Sequence, residues 1–244
     1  MHRFSSKALL TGFDRMRREL RAGNPGYILK SPVRMAVFIL LVLRAAAIRL
    51  IPSKTTMYFI RSAFSDLART IDRPGCSFRV WDRCSGEILR YVEDREKENK
   101  RFIREIYLND LGRRFENGTK ACTLTDGQGR IASIFFTSDR VTRVEQIRCD
   151  YSPRPGEIVI TDIYTLKSHR RKGLYLLLLQ HAKDYFAERG FDAFVMWIMK
   201  HNRATIRAQL RAGFTHVFQT ITLRTWLGLK RVQVEGSAAP LDTL

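Results

Sequence analysis

A strand-like run, Ile158-Val-Ile-Thr-Asp162-Ile-Tyr-Thr165, passes through the basic segment Lys167-Ser-His-Arg170-Arg171-Lys172 into Gly173 and a long apolar stretch that begins Leu174-Tyr175. The order predicts strand, loop and helix. The first turn of a helix leaves backbone N–H groups without partners, and the helix dipole adds partial positive charge there. Such an end binds phosphate. Gly173 lets the backbone approach a pyrophosphate closely, and Arg170, Arg171 and Lys172 add charge around it. Gly-Lys-Ser/Thr is missing, so this is no Walker loop, and the three-glycine dinucleotide fingerprint is missing too. The residues alone leave two readings open, an anion site and a solvated basic turn.

The elements that must hold this loop can be read on both sides of it. Asp72-Arg73-Pro74-Gly75 marks a junction, after which basic helical material gives way to short strand-like runs. Ser77 to Asp82 alternates as a half-buried strand does. Glu87 to Glu116, with Leu89, Val92, Phe102, Ile106 and Leu111 at helical spacing, predicts two helices. Two β-rich runs around Asp126-Gly127-Gln128-Gly129 predict a hairpin. The helix from about Arg171 ends at Gly190, Phe191 to Ile198 reads as a strand buried on both faces, and Asn202 caps a helix that Gly213 stops. Phe214 to Trp226 supplies one or two closing strands. The expected organisation is a basic helical extension over 1–75, a domain over 76–235 and a flexible tail over 236–244.

Composition sets the outer limits. The 244 residues are 45% hydrophobic and 27% charged, with 43 Lys and Arg against 24 Asp and Glu, net +19. This excludes a disordered or fibrous chain and favours anionic partners. Cys76, Cys84, Cys122 and Cys149 form neither a disulfide framework nor a zinc set with histidine, so reduced thiols, no metal and a cytoplasmic protein are expected. Residues 1–61 hold 12 Lys and Arg against 2 acids, and Met35–Leu43 is apolar, but Arg44 and Arg49 interrupt any uncharged span of about 20 residues. The extension is expected either to lie peripherally at an anionic membrane surface or to pack on the domain with its arginines outward. Asn117-Gly118-Thr119 reads as a turn. Lys and Arg are scattered without an interleaved aromatic platform, so nucleic acid is not the expected partner.

Arg170-x-x-Gly173 after a strand, then a long apolar helix, a buried strand, and Asn202-x-x-Thr205-Ile206 leading to Ala212-Gly213-Phe214 resemble the GNAT N-acetyltransferase superfamily over residues 76–230. The resemblance implies an α/β fold of the α+β type, with a mixed, mostly antiparallel central sheet flanked by helices. It implies an acetyl-CoA site in which Arg170 and the backbone around Arg171, Lys172, Gly173, Leu174 and Tyr175 hold the pyrophosphate. Ile163, Tyr164 and Thr165 would be the strand edge that pairs with the pantetheine arm, and Asn202 would cap its helix and reach toward that arm.

The implied chemistry is attack of a primary amine on a thioester, which needs a base and dipoles for the oxyanion. Asp162 is the first base candidate and Glu157 the second, each equally readable as the partner of an arginine. Burial would raise the pKa of Asp162 and basic neighbours would lower it. Two positions depart from the family pattern: Tyr175 stands where Gly or Ala is usual, and Gln209 where many relatives carry the tyrosine that protonates the thiolate. Tyr164, Tyr185 or water would then supply the proton. His169 and His201 read as solvated. The expected acceptor is a small-molecule or lipid-linked amine, anionic or close to a membrane. Two other readings are a longer acyl chain from CoA or from an acyl-carrier protein, and a non-catalytic module that binds CoA or membrane.

Overall fold

The computed structural model describes residues 39, 52–69, 74–99, 104–226, 229–236 and 240–241. Strands are β1 (Ser53–Ala63), β2 (Ser77–Trp81), β3 (Lys120–Thr125), β4 (Ile131–Ser138), β5 (Thr142–Val144), β6 (Cys149–Tyr151), β7 (Glu157–Thr165), β8 (Ala193–Met199), β9 (His216–Trp226) and β10 (Leu229–Gly236). Among the described residues the helices are α1 (Gly86–Glu98), α2 (Arg104–Glu116), α3 (Leu174–Ala187) and α4 (Arg203–Arg211). Eight strands form one sheet in the order β10-β9-β1-β8-β7-β4-β3-β2, and β5 pairs β6 separately. The ladders β1–β8, β2–β3, β3–β4 and β4–β7 are antiparallel and β7–β8 is parallel. This is the mixed, mostly antiparallel α+β sheet expected from the sequence.

Alternation along the strands divides the core between the two faces. Phe135, Phe194, Met196 and Ile198 pack with Leu177, Leu178, Ala182 and Phe186 of α3. Ala121, Ile134 and Phe136 pack on the opposite face with Ile88, Tyr91 and Val92 of α1 and Leu111 of α2. Local signals set the helix ends. Ser85 Oγ accepts the Ile88 N–H at 3.3 Å, and Asn202 Oδ1 accepts the Thr205 N–H at 3.2 Å. The α3 helix begins three residues later than Arg171, because Arg171 and Gly173 hold left-handed φ of 61° and 72°.

Two expected boundaries move. The sheet begins at Ser53 and not at residue 76, because β1 lies between β8 and β9. Met57, Tyr58, Phe59 and Ile60 are all at most 2% exposed. A strand buried on both faces is a continuous apolar run without alternation, and periodicity does not separate it from a helix. The tail is not free at its middle: Leu241 is 1% exposed, and its N–H donates to Thr215 O at 2.7 Å. The chain forms two compact units, Thr55–Leu223 with Val232–Leu244, and Met1–Lys54 with Arg224–Arg231. The reading of residues 1–51 as basic, helical and lipid-facing lies outside the described residues, Ile39 apart. No described helix is long and apolar enough to cross a membrane.

Behind β1 the chain locks onto the end of α4. Ala68 N–H donates to Ala212 O at 3.1 Å, and Ser62 Oγ donates to Gly213 O at 3.2 Å. A Cβ on Gly213 would stand 2.3 Å from Asp66 O and 2.9 Å from Leu67 Cα, at a φ of +97°. Gly213→Ala is expected to destabilise by about 2–4 kcal/mol, lowering Tm by several degrees in a thermal melt. Gly190→Ala, at φ +83° with nothing within 4 Å, is expected to lose only about 1 kcal/mol.

Candidate active site

The centre of the site is a fault in the β4–β7 ladder. Phe136 pairs with Thr161 and Ile134 with Tyr164, so one residue of β4 faces two of β7. The extra residue makes a β-bulge, and within it Asp162 takes a φ of +47°. Ile158 and Ile160 face the α3 side, and strict alternation would send residue 162 there as well. The bulge resets the phase: Ile163 packs on the α3 side, and Tyr164 on the α1–α2 side. On its other edge β7 pairs with β8 only from Glu157–Ala193 to Val159–Val195. Beyond that point no ladder pair joins the two strands, which leaves a wedge with Ile163, Tyr164 and Thr165 along one side.

Asp162 meets the α1–α2 side and is surrounded by donors. Arg95 Nη2 donates to Oδ1 at 3.0 Å and Nη1 to Oδ2 at 3.4 Å. Tyr107 Oη donates to Oδ2 at 2.8 Å, and Arg114 Nη1 reaches the same oxygen at 3.4 Å. Burial pushes the Asp162 carboxyl up, but Arg95, Arg114 and the Tyr107 hydroxyl outweigh it and hold it below the ordinary aspartate value. For Arg95 burial acts downward and Asp162 outweighs it, so the guanidinium stays charged. The expected base Asp162 is thus the acceptor of a buried ion-pair network. Three donors meet its Oδ2 and one its Oδ1, and with its proton affinity reduced it anchors the bulge.

Glu157, the second expected base, is likewise the acceptor of an arginine. It is 2% exposed, with Arg61 Nε at 3.0 Å from Oε1, and with Tyr151 Oη and the Arg154 N–H each at 2.9 Å from Oε2. It also sits where β7 and β8 are still paired, five residues and about 15 Å of strand from the bulge. Tyr164 lies between two guanidinia, with Arg95 Cζ 4.5 Å and Arg170 Cζ 5.2 Å from its ring centroid. Its hydroxyl is 3.5 Å from Glu98 Oε2.

The basic loop is a built turn. Glu98, at the end of α1, accepts the Lys167 N–H at 2.7 Å on its carboxylate, and its carbonyl accepts Lys167 Nζ. His169 is not solvated as expected: Nε2 lies 3.1 Å from Asp126 Oδ2 of the β3–β4 turn, with 13% of the side chain exposed. Arg170 Nε donates to Thr165 O at 3.0 Å. Arg171, Lys172 and Gly173 are exposed, and a Cβ on Gly173 would meet nothing within 4 Å. The first turn of α3 has no acidic residue and no side-chain cap, so its free N–H groups open outward. These residues fit a pyrophosphate.

The two departures from the family pattern meet each other. Tyr175 Oη donates to Gln209 Oε1 at 2.7 Å and joins the first turn of α3 to α4. Asn202 caps α4 through Thr205. Arg95, Tyr107 and Arg114 were missed by sequence reading. They sit on amphipathic helices where Arg and Tyr are ordinary surface choices, and only the fold shows that all three converge on one aspartate. Among the described residues no group of His, Cys, Asp and Glu could hold a metal ion.

Comparison with known proteins follows this geometry. A Drosophila protein solved by X-ray crystallography shares 15% identity at a TM-score of 0.48, covering 79% of this chain and 57% of its own. A GCN5-related N-acetyltransferase from Sphaerobacter thermophilus shares 16% at 0.48, covering 81% and 58%. AAC(6')-Iy, solved with the bisubstrate analogue CoA-S-monomethyl-acetylneamine, shares 16% at 0.45, covering 58% and 92%. The chain thus spans under three fifths of the first two structures. No curated protein matches the sequence. The model of the Acetyltransferase (GNAT) family matches residues 89–214, just over half of the chain. The chain belongs to the GNAT acetyltransferase family.

Proposed function

We infer that this protein transfers an acetyl group from acetyl-CoA to a primary amine. The observation that carries the reading is the parting of β7 from β8 beyond Val159, on a strand whose following loop leads to an uncapped helix N-terminus with an open glycine. Bound there, acetyl-CoA would supply the activated thioester. The backbone N–H groups of Leu174, Tyr175 and Leu176 would hold its pyrophosphate, with Arg171 and Lys172 adding charge. The free edge of β7 from Ile163 to Thr165 would take the pantetheine arm as an added strand. A backbone N–H on that edge is the nearest dipole for the oxyanion.

Asp162 acts here as a positioning residue that holds the bulge through Arg95, Tyr107 and Arg114, and Glu157 as the partner of Arg61. Tyr164 is the one of the three candidates that lies along the wedge, and we assign proton movement to its hydroxyl with water. The net charge of +19 favours an anionic amine as acceptor. The cytoplasm, with peripheral contact to membrane through residues 1–61, is the proposed location. The Tyr175–Gln209 pair, in place of the usual small residue and tyrosine, supports a second reading as a CoA-binding module without turnover.

Calorimetric titration with acetyl-CoA tests the site. Wild type is expected to bind, and Gly173→Asp, which puts an anionic side chain before the helix N-terminus, to lose at least about tenfold in affinity. Absence of binding by folded wild type removes the reading. Binding without acetylation of any amine in a panel selects the second reading.

Asp162→Asn removes the charge that Arg95 and Arg114 compensate. It is expected to cost about 2–4 kcal/mol in denaturant unfolding at neutral pH. Because the folded carboxyl sits below its ordinary value, its contribution is complete above the unfolded pKa of about 4 and is lost as pH falls through the folded value. Wild type therefore loses stability below about pH 4 more steeply than the variant. Equal slopes would contradict the anchoring role.

A further inference from the structure

Two stretches of the sequence that follow the bulge carry cations and no carboxylate. Residues 163–183 hold Lys167, Arg170, Arg171, Lys172 and Lys183 and no Asp or Glu. Residues 193–223 hold Lys200, Arg203, Arg207 and Arg211, again with no acid. All 24 carboxylate side chains lie elsewhere in the sequence. The first segment contains the pyrophosphate turn. The second contains α4, which the Tyr175–Gln209 bond joins to the first turn of α3.

Arg203, Arg207 and Arg211 recur at four-residue spacing, so they form one row about 12 Å long on α4. All three are exposed, on the side away from buried Ile206 and Gln209, and none forms an ion pair with a described residue. Arg203 stands in the first helical turn, where the macrodipole disfavours a cation and where α4 has no acid. The dipole favours Arg211 in the last turn, but fold stability does not account for Arg203 or Arg207. Arg170, Arg171 and Lys172 are the charges proposed for the pyrophosphate, and the arginine row lies on a different element.

We propose that Arg203, Arg207 and Arg211 are a docking surface for an acidic carrier protein, which presents an acyl group on its phosphopantetheine arm to the wedge. This rests on acyl transfer at the wedge and adds the class of donor. Phosphopantetheine thioesters occur on CoA and on carrier proteins, and a row of three cations one helix long matches the carboxylates of a helical protein surface. Beside the arginines lie exposed Ala204 and half-buried Ala208 and Leu210, the last packed on the core, with no exposed large apolar side chain to enter a lipid surface and no aromatic ring to stack on a base. In the transfer the acceptor nitrogen bonds the acyl carbon and the C–S bond breaks. The thiolate left on the arm takes up the proton that the amine loses.

The test compares wild type with Arg203→Gln/Arg207→Gln/Arg211→Gln, three surface changes outside the pyrophosphate turn. Each is titrated with acetyl-CoA, with an acidic acyl-carrier protein bearing acetyl-phosphopantetheine, and with phosphatidylglycerol vesicles. The triple variant is expected to keep its thermal melt and its acetyl-CoA affinity within about threefold, and to lose at least about tenfold for the carrier. Carrier affinity of wild type should fall with added salt. If the triple variant melts early, Arg207→Glu alone carries the same comparison. Wild-type binding of acetyl-CoA without the carrier overturns this proposal alone. So does equal loss of both donors, which would give the row to the nucleotide phosphates, and so does a preference for vesicles over the carrier. Binding of neither donor by folded wild type overturns the acyl-transfer reading with it.

Discussion

One carboxylate organises the middle of this molecule. Asp162 carries a charge into a strand that is otherwise apolar on its α3 face, where an unpaired carboxylate would cost several kcal/mol. The bulge removes that conflict by turning the residue toward α1 and α2, where Arg95, Tyr107 and Arg114 wait. The same extra residue breaks the register of β7 against β4, a few residues past Val159, where β7 has its last pair with β8. The buried charge and the wedge thus occupy the same end of β7. Tyr164 extends the arrangement outward, since its ring lies near Arg95 of the anchor and Arg170 of the pyrophosphate turn.

Much of the fold was legible because its elements end on strong local signals. Asn202, Gly190 and Gly213 stop or start helices for reasons contained in a few residues, and Asp126-Gly127-Gln128-Gly129 makes its hairpin unaided. The strand β1 was not legible. Its apolar run is indistinguishable in period from a buried helix, and its partners lie more than 130 residues away. The basic turn before α3 was visible for a similar local reason, since strand, basic loop, glycine and helix occupy one continuous stretch.

The roles of single side chains were harder to read. Asp162 was found as an unusual residue, but whether burial or basic neighbours set its pKa depended on helices 48 to 67 residues away in sequence. His169 looked like a surface residue until the β3–β4 turn supplied Asp126. Tyr175 and Gln209 were each noticed as substitutions, yet only three dimensions show that one hydrogen bond accounts for both. Chemistry that depends on the local backbone can be read in sequence. Chemistry that depends on long-range charge pairing cannot.

The place of β1 has a consequence for how the protein is made. Met57 pairs with Met199 and Ala63 with Ala193, so the strand enters the ribosomal tunnel about 130 residues before its first partner. At a synthesis rate of roughly 5–20 residues per second, Met-Tyr-Phe-Ile must wait roughly 7–26 s for β8. During that interval four of the most apolar side chains in the core have nothing to cover them. The completed sheet joins its two halves through this early strand, and so the last-made part of the domain decides when the first-made part is safe from aggregation.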